Sequence, residues 1–106
     1  MEISLQKKIE KFNKIIKIPG DKSCSIRALL LASQCIGISK IRNLLESEDV
    51  LNCVRILKTL NLKIVKSNGL YKIYGNGLGS FKTNKNITKI FVGNSGTTCR
   101  LICGAL

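Results

Sequence analysis

The chain predicts a mixed α/β (α+β) fold, on three observations. Short β-branched runs alternate with longer apolar stretches at helical spacing. An Asn68-Gly69 pair separates two alternating segments, and glycine-containing turns lead into two of the helical stretches. The resulting order is strand, helix, strand, helix, hairpin, then strand, turn and helix, within 106 residues that suit one small domain.

Each element has its own warrant. Ile15-Ile16-Lys17-Ile18 is a β-branched run stopped by Pro19-Gly20, the pattern of a strand entering a turn. Over 23–35, Ala28, Leu29, Leu30, Leu31 and Ala32 are strong helix formers; Asp21 or Ser23 is the expected cap, and Gly37 the expected terminator. Ile38-Ser39-Lys40-Ile41 returns to a strand. Ser47 is a good N-cap for a second helix. Glu46, Glu48 and Asp49 read as acids complementing its macrodipole rather than as a catalytic pair. Val50, Leu51, Val54, Leu57 and Leu60 recur at helical spacing and mark its buried stripe. Leu62-Lys63-Ile64-Val65-Lys66 and Tyr71-Lys72-Ile73-Tyr74 flank the Asn-Gly turn as a hairpin. Residues 75–80 form a glycine-rich loop that lacks the following helix and Lys-Ser/Thr of a nucleotide cradle. A strand over 87–92 and a helix from about Thr97 complete the order. The last residues, 100–106, continue an apolar helical pattern without cap or polar tail, which reads as part of a longer protein.

The formal net charge is +12, from 18 Lys plus Arg against 6 Asp plus Glu, and such a balance suits an anionic partner. Nucleic acid is the first candidate, because phosphate neutralisation dominates that affinity. Yet the lysines scatter along the chain, and aromatics at 5% are too few for a stacking platform, so small anionic substrates fit better. Five cysteines without histidine or a Cys-x-x-Cys pair exclude a Cys/His zinc site. Their apolar neighbours predict small buried thiols, as in a reducing cytosol. Neither a signal-peptide core nor an apolar run of membrane-span length is present, so a cytoplasmic protein is expected.

Two motifs carry the chemistry. Pro19-Gly20-Asp21-Lys22-Ser23-Cys24-Ser25-Ile26-Arg27 joins a turn to a helix start, whose unpaired amides favour anions. Lys22 adds a point charge there, and Ser23 and Ser25 add hydroxyl donors. Arg27 lies four residues after Ser23, on the same helical face, and can hold a carboxylate or phosphate through two bonds. Gly93-Asn94-Ser95-Gly96-Thr97-Thr98-Cys99-Arg100 repeats the arrangement: Thr97 and Thr98 can cap or donate to an anion, and Arg100 follows Gly96 by four. Either motif alone equally describes a plain capped helix with solvated cations.

Together with Asn43-Leu44-Leu45-Glu46-Ser47-Glu48-Asp49-Val50, the two motifs resemble, in order and spacing, the signatures of the EPSP synthases (3-phosphoshikimate 1-carboxyvinyltransferases). The likeness runs from about Lys17 to Leu106 but spans only about the first quarter of a family member. It departs at Ile26, where many members have histidine, and at Leu101, where one subgroup has proline. It implies an enolpyruvyl transferase fold of two globular halves built from βαβαββ units. Residues 1–106 would be the N-terminal portion: 1–19 strands joining the other half, 20–106 the first unit and the start of the next.

The activity implied is transfer of enolpyruvyl from phosphoenolpyruvate to the 5-hydroxyl of 3-phosphoshikimate, with no cofactor and no metal. By the resemblance Lys22 meets both substrates, Ser23 and Arg27 bind 3-phosphoshikimate, and Asn94, Gly96 and Arg100 surround phosphoenolpyruvate. Lys22 is the one residue expected to share in the chemistry, the acid–base groups of the family lying downstream. The whole enzyme is expected to be a monomer without nucleic-acid or membrane partners, and these 106 residues alone to be inactive. The alternatives are the related transferase acting on UDP-N-acetylglucosamine, an inactive remnant, and a basic nucleic-acid-binding module.

Overall fold

The computed structural model describes residues 4, 13, 15–83 and 86–106. Six elements follow one another: α1 (Lys22–Gln34), β1 (Ile36–Arg42), α2 (Glu48–Thr59), β2 (Lys63–Ser67), β3 (Leu70–Asn76) and α3 (Gly96–Ala105).

Local chemistry explains the boundaries. The Asp21 carboxylate accepts the Cys24 N–H at 2.7 Å, which settles the choice between the two expected caps of α1. That helix stops at Gln34, with Cys35 as its C-cap. Gly37, expected to end it, instead lies inside β1 with φ +100°. Ser47 takes the extended backbone of an N-cap, and Glu48 and Asp49 open α2 as expected. Asn68 and Gly69 have φ of 47° and 70°, the doubly left-handed turn that matches the twist of a two-residue hairpin.

The three strands form one antiparallel sheet in the order β1-β3-β2. Ile73 of the central strand pairs with Ser39 on one side and Ile64 on the other. Strand alternation turns Tyr71, Ile73 and Gly75 inward. Against them lie Ile26 and Leu29 of α1 and Val50, Cys53 and Leu57 of α2, which with Ile73 make the fully buried centre. α1 touches α2, α3 and the sheet, so the helix carrying the first motif is also the hub of the core. A Cβ on Gly75 would lie 2.2 Å from the Cys35 carbonyl oxygen, so only glycine lets β3 pass beneath the end of α1. The strand therefore runs to Asn76, into residues expected to be loop.

Three further expectations fail here. Residues 15–20 are irregular, with Ile15 99% exposed, and so are the described residues between 81 and 92. Neither β-branched run finds a ladder partner among the described residues, and without one its backbone groups gain nothing from a strand. The other strands expected within 1–19 fall for the most part outside the described residues. Third, Cys53 alone of the five cysteines is buried, and Cys24, Cys35, Cys99 and Cys103 are exposed. Apolar neighbours in sequence sit on other faces of a helix, so they do not fix which way a thiol points. Burial pushes the Cys53 thiol up to about 11. No helix among the described residues is long and apolar enough to cross a membrane.

Candidate functional site

The first motif is held by a close backbone approach. A Cβ on Gly20 would lie 2.2 Å from the Asn43 carbonyl oxygen, and the Asn43 amide donates to the Ile18 carbonyl at 3.4 Å. The Ser25 hydroxyl is buried and accepts the Leu45 N–H at 3.0 Å. Ser25 therefore joins α1 to the segment after β1 through its hydroxyl oxygen.

The helix start is also partly served by the protein itself. Hydrogen bonds from the backbone around Cys24 and Ser23 hold the Asp21 carboxyl below its ordinary 3.8. What faces outward is then a set of side chains. Ser23 is half-buried, Arg27 is exposed, and Lys22 donates from Nζ to Asp49 Oδ2 at 3.1 Å, tying the start of α1 to the first turn of α2.

The second motif is built differently. Ser95 is the N-cap of α3: its hydroxyl oxygen accepts the Thr98 N–H at 3.1 Å and its O–H donates to Thr98 Oγ1 at 2.8 Å. Thr98 is 0% exposed and faces the core, so of the two roles the sequence allowed it, capping or donating to an anion, it takes part in the cap. Thr97 is half-buried, whereas Asn94 and Gly96 are exposed. Both guanidinium NH groups of Arg100 lie 3.5 Å from the point where a Cβ on Gly96 would be, so the arginine folds back over the first turn of its own helix. Ser95, missed as the cap, was legible as a Ser three residues before a Thr amide at a helix start.

One residue of each motif, Arg27 and Arg100, lines a groove of about 700 Å³ between α1 and α3, with Leu30, Leu31, Leu78 and Leu101 among its apolar walls. Lys22, Ser23, Asn94 and Gly96 stand outside that lining. Cations on a low-dielectric wall attract an anion more strongly than the same cations in water.

The acids divide as only the structure could decide. Glu48 and Asp49 lie in the first turn of α2, but Glu46 precedes the helix. It forms an ion pair with Lys66 and accepts the Tyr71 hydroxyl at 2.9 Å. Those partners, Lys66 first, lower the Glu46 pKa, so Glu46 belongs to the sheet edge rather than to the macrodipole.

Known proteins bear the same pattern. The family described as EPSP synthase (3-phosphoshikimate 1-carboxyvinyltransferase) matches residues 6–106. A 3-phosphoshikimate 1-carboxyvinyltransferase of Streptococcus suis is 35% identical over 98% of this chain and 24% of its own length. One of Ruthia magnifica is 42% identical over 86% of the chain and 20% of its own length. Among solved structures, an EPSP synthase from Acinetobacter baumannii superposes with a TM-score of 0.75 at 32% identity, covering 86% of this chain and 20% of that one. The chain thus spans a fifth to a quarter of these relatives. In sequence and in fold alike, the chain belongs to the EPSP synthase family.

Proposed function

We propose that this chain supplies one wall of the substrate site of an enolpyruvyl transferase acting on phosphoenolpyruvate and 3-phosphoshikimate. The observation that carries the reading is the meeting of Arg27 and Arg100, from motifs far apart in sequence, on one groove. Both substrates are anions, and holding them side by side requires cations fixed in place before any bond forms. Each guanidinium can grip a carboxylate or phosphate through two parallel bonds. Lys22 has three N–H donors; one goes to Asp49, and two remain for substrate oxygens. The Ser23 hydroxyl, the Asn94 amide and the bare backbone at Gly96 complete this share of the site.

In the reaction, the 5-hydroxyl of 3-phosphoshikimate gives up its proton as its oxygen bonds to C2 of phosphoenolpyruvate, while a proton adds at C3. The C2–O bond to phosphate then breaks, and a proton leaves the new methyl group to restore the double bond. Lys22, Arg27 and Arg100 hold both anions and the departing phosphate. The proton-transfer groups are not assigned to this chain. No cofactor and no metal enter the reading, nor does nucleic acid or membrane. The whole enzyme acts as a cytoplasmic monomer, for which five free cysteines suit a reducing compartment.

The test is titration of the chain with 3-phosphoshikimate, followed by the amide resonances of Ser23 and Gly96 and the side-chain resonances of Arg27. These should move at millimolar ligand and stay still with UDP-N-acetylglucosamine; no movement with 3-phosphoshikimate overturns the reading. The 106 residues alone should release no phosphate from the two substrates, and measured turnover would refute that part.

A further inference from the structure

We infer that Asp49 is a positioning residue: it holds the Lys22 ammonium at the substrate site from the first turn of α2. This rests on Lys22 being a substrate contact, as proposed above. The two side chains are 3.1 Å apart, and the Asp49 side chain is 19% exposed against 51% for that of Lys22. The acid is thus the more fixed partner and the lysine the one being steered. A lysine stem has four rotatable carbons, and an unheld ammonium samples many positions before it meets a ligand. A partner that fixes it beforehand lowers that ordering cost.

The platform under Asp49 is itself braced. Asn52 lies one helical turn further on, on the same face, and is 4% exposed. Its Oδ1 accepts from Arg55 at 2.8 Å, which turns its Nδ2 toward the second motif. A Cβ on Gly93 would lie 2.7 Å from that nitrogen, so the Gly93 turn rests directly on α2. One face of α2 therefore touches both motifs, through Asp49 at the first and Asn52 at the second. Glu48 shares the first turn of α2 and its macrodipole but forms no ion pair among the described residues.

The sign of the effect separates positioning from plain electrostatics. Asp49 is an acid beside a site for anions, so by Coulomb's law alone its neutralisation should tighten anion binding. A positioning role predicts the opposite. Asp49→Asn should weaken binding of 3-phosphoshikimate to the chain about 3- to 5-fold, the scale of a half-exposed ion pair. Asp49→Glu, which keeps the charge, should recover most of the loss. Glu48→Gln should leave affinity unchanged, although it removes the same charge from the same helix start.

The measurement is the resonance titration above, with inorganic phosphate as a second probe. Equal or tighter binding by Asp49→Asn, or an equal loss in Glu48→Gln, overturns the inference while leaving the site intact. If the unsubstituted chain fails to bind 3-phosphoshikimate, the site reading and this inference fall together. An amide spectrum of Asp49→Asn that collapses would show Asp49 holding the fold rather than Lys22, and would also overturn it.

Discussion

The two helix starts of the candidate site share one sequence logic and differ in device. At α1 the cap is a carboxylate, Asp21, which takes the Cys24 amide, and in the proposed site attraction for an anion would fall to Lys22 and Arg27. At α3 the cap is a neutral hydroxyl, Ser95, and the Arg100 guanidinium lies back over Gly96. The first start depends on side chains braced by another helix, through Lys22 and Asp49. The second depends on backbone kept open by a glycine. A cation four residues after a helix start is thus compatible with two different caps, one charged and one neutral.

Four experiments break or sharpen that contrast. The largest effect is expected from Lys22→Met, which removes a charge-assisted contact at the first start only. Affinity for 3-phosphoshikimate should fall about 10- to 100-fold, the range of hydrogen bonds to charged groups. An unchanged titration would remove Lys22 from the site.

Next comes Gly20→Ala. Its Cβ would meet the backbone oxygen of Asn43, which no rotamer change can relieve, so unfolding free energy should drop by about 1–3 kcal/mol. Gly96→Ala at the other start meets only the flexible end of Arg100 at 3.5 Å, and denaturant midpoints should show little loss. Equal losses at both glycines would contradict the contrast.

Ser95→Ala should cost about 1 kcal/mol, the usual worth of a hydroxyl cap, seen as fraying of α3 in amide exchange at Thr98. Unaltered exchange there would deny the cap its role.

The smallest effect is a pH dependence. The folded Asp21 carboxyl titrates below its ordinary value of 3.8. Its contribution is therefore complete above that value and is lost as pH falls through the lowered folded value. Acidification through that window should loosen the Cys24 amide, while the Ser95 cap has no charge to lose. Parallel loosening at Cys24 and Thr98 would count against a carboxylate cap.

Much of this was legible beforehand, for reasons that differ from place to place. The helices were readable because Leu29, Val50 and Leu57 report their buried faces by spacing alone. Asn68-Gly69 named the hairpin because few residue pairs tolerate two successive positive φ angles. The runs at 15–18 and 87–92 misled, because β-branched residues state a preference but cannot supply a pairing partner. Thr98 and Ser25 stayed open for a related reason: a hydroxyl in a motif can serve a ligand or the fold, and only its packing tells which.

By itself, the sequence determined the family and the order of helices and hairpin, and it singled out Lys22, Ser23, Arg27, Asn94, Gly96 and Arg100 as the candidates for a site. The element order follows from local spacing and turn residues, whereas the family and the six candidates rest on the resemblance of the motifs. Tertiary structure alone decided that Lys22 meets Asp49, that Glu46 turns to Lys66 and Tyr71, and that Arg27 and Arg100 line one groove. Those pairings join residues distant along the chain. Their partners are set by how α1 and α2 pack on the sheet, and no local pattern encodes that packing.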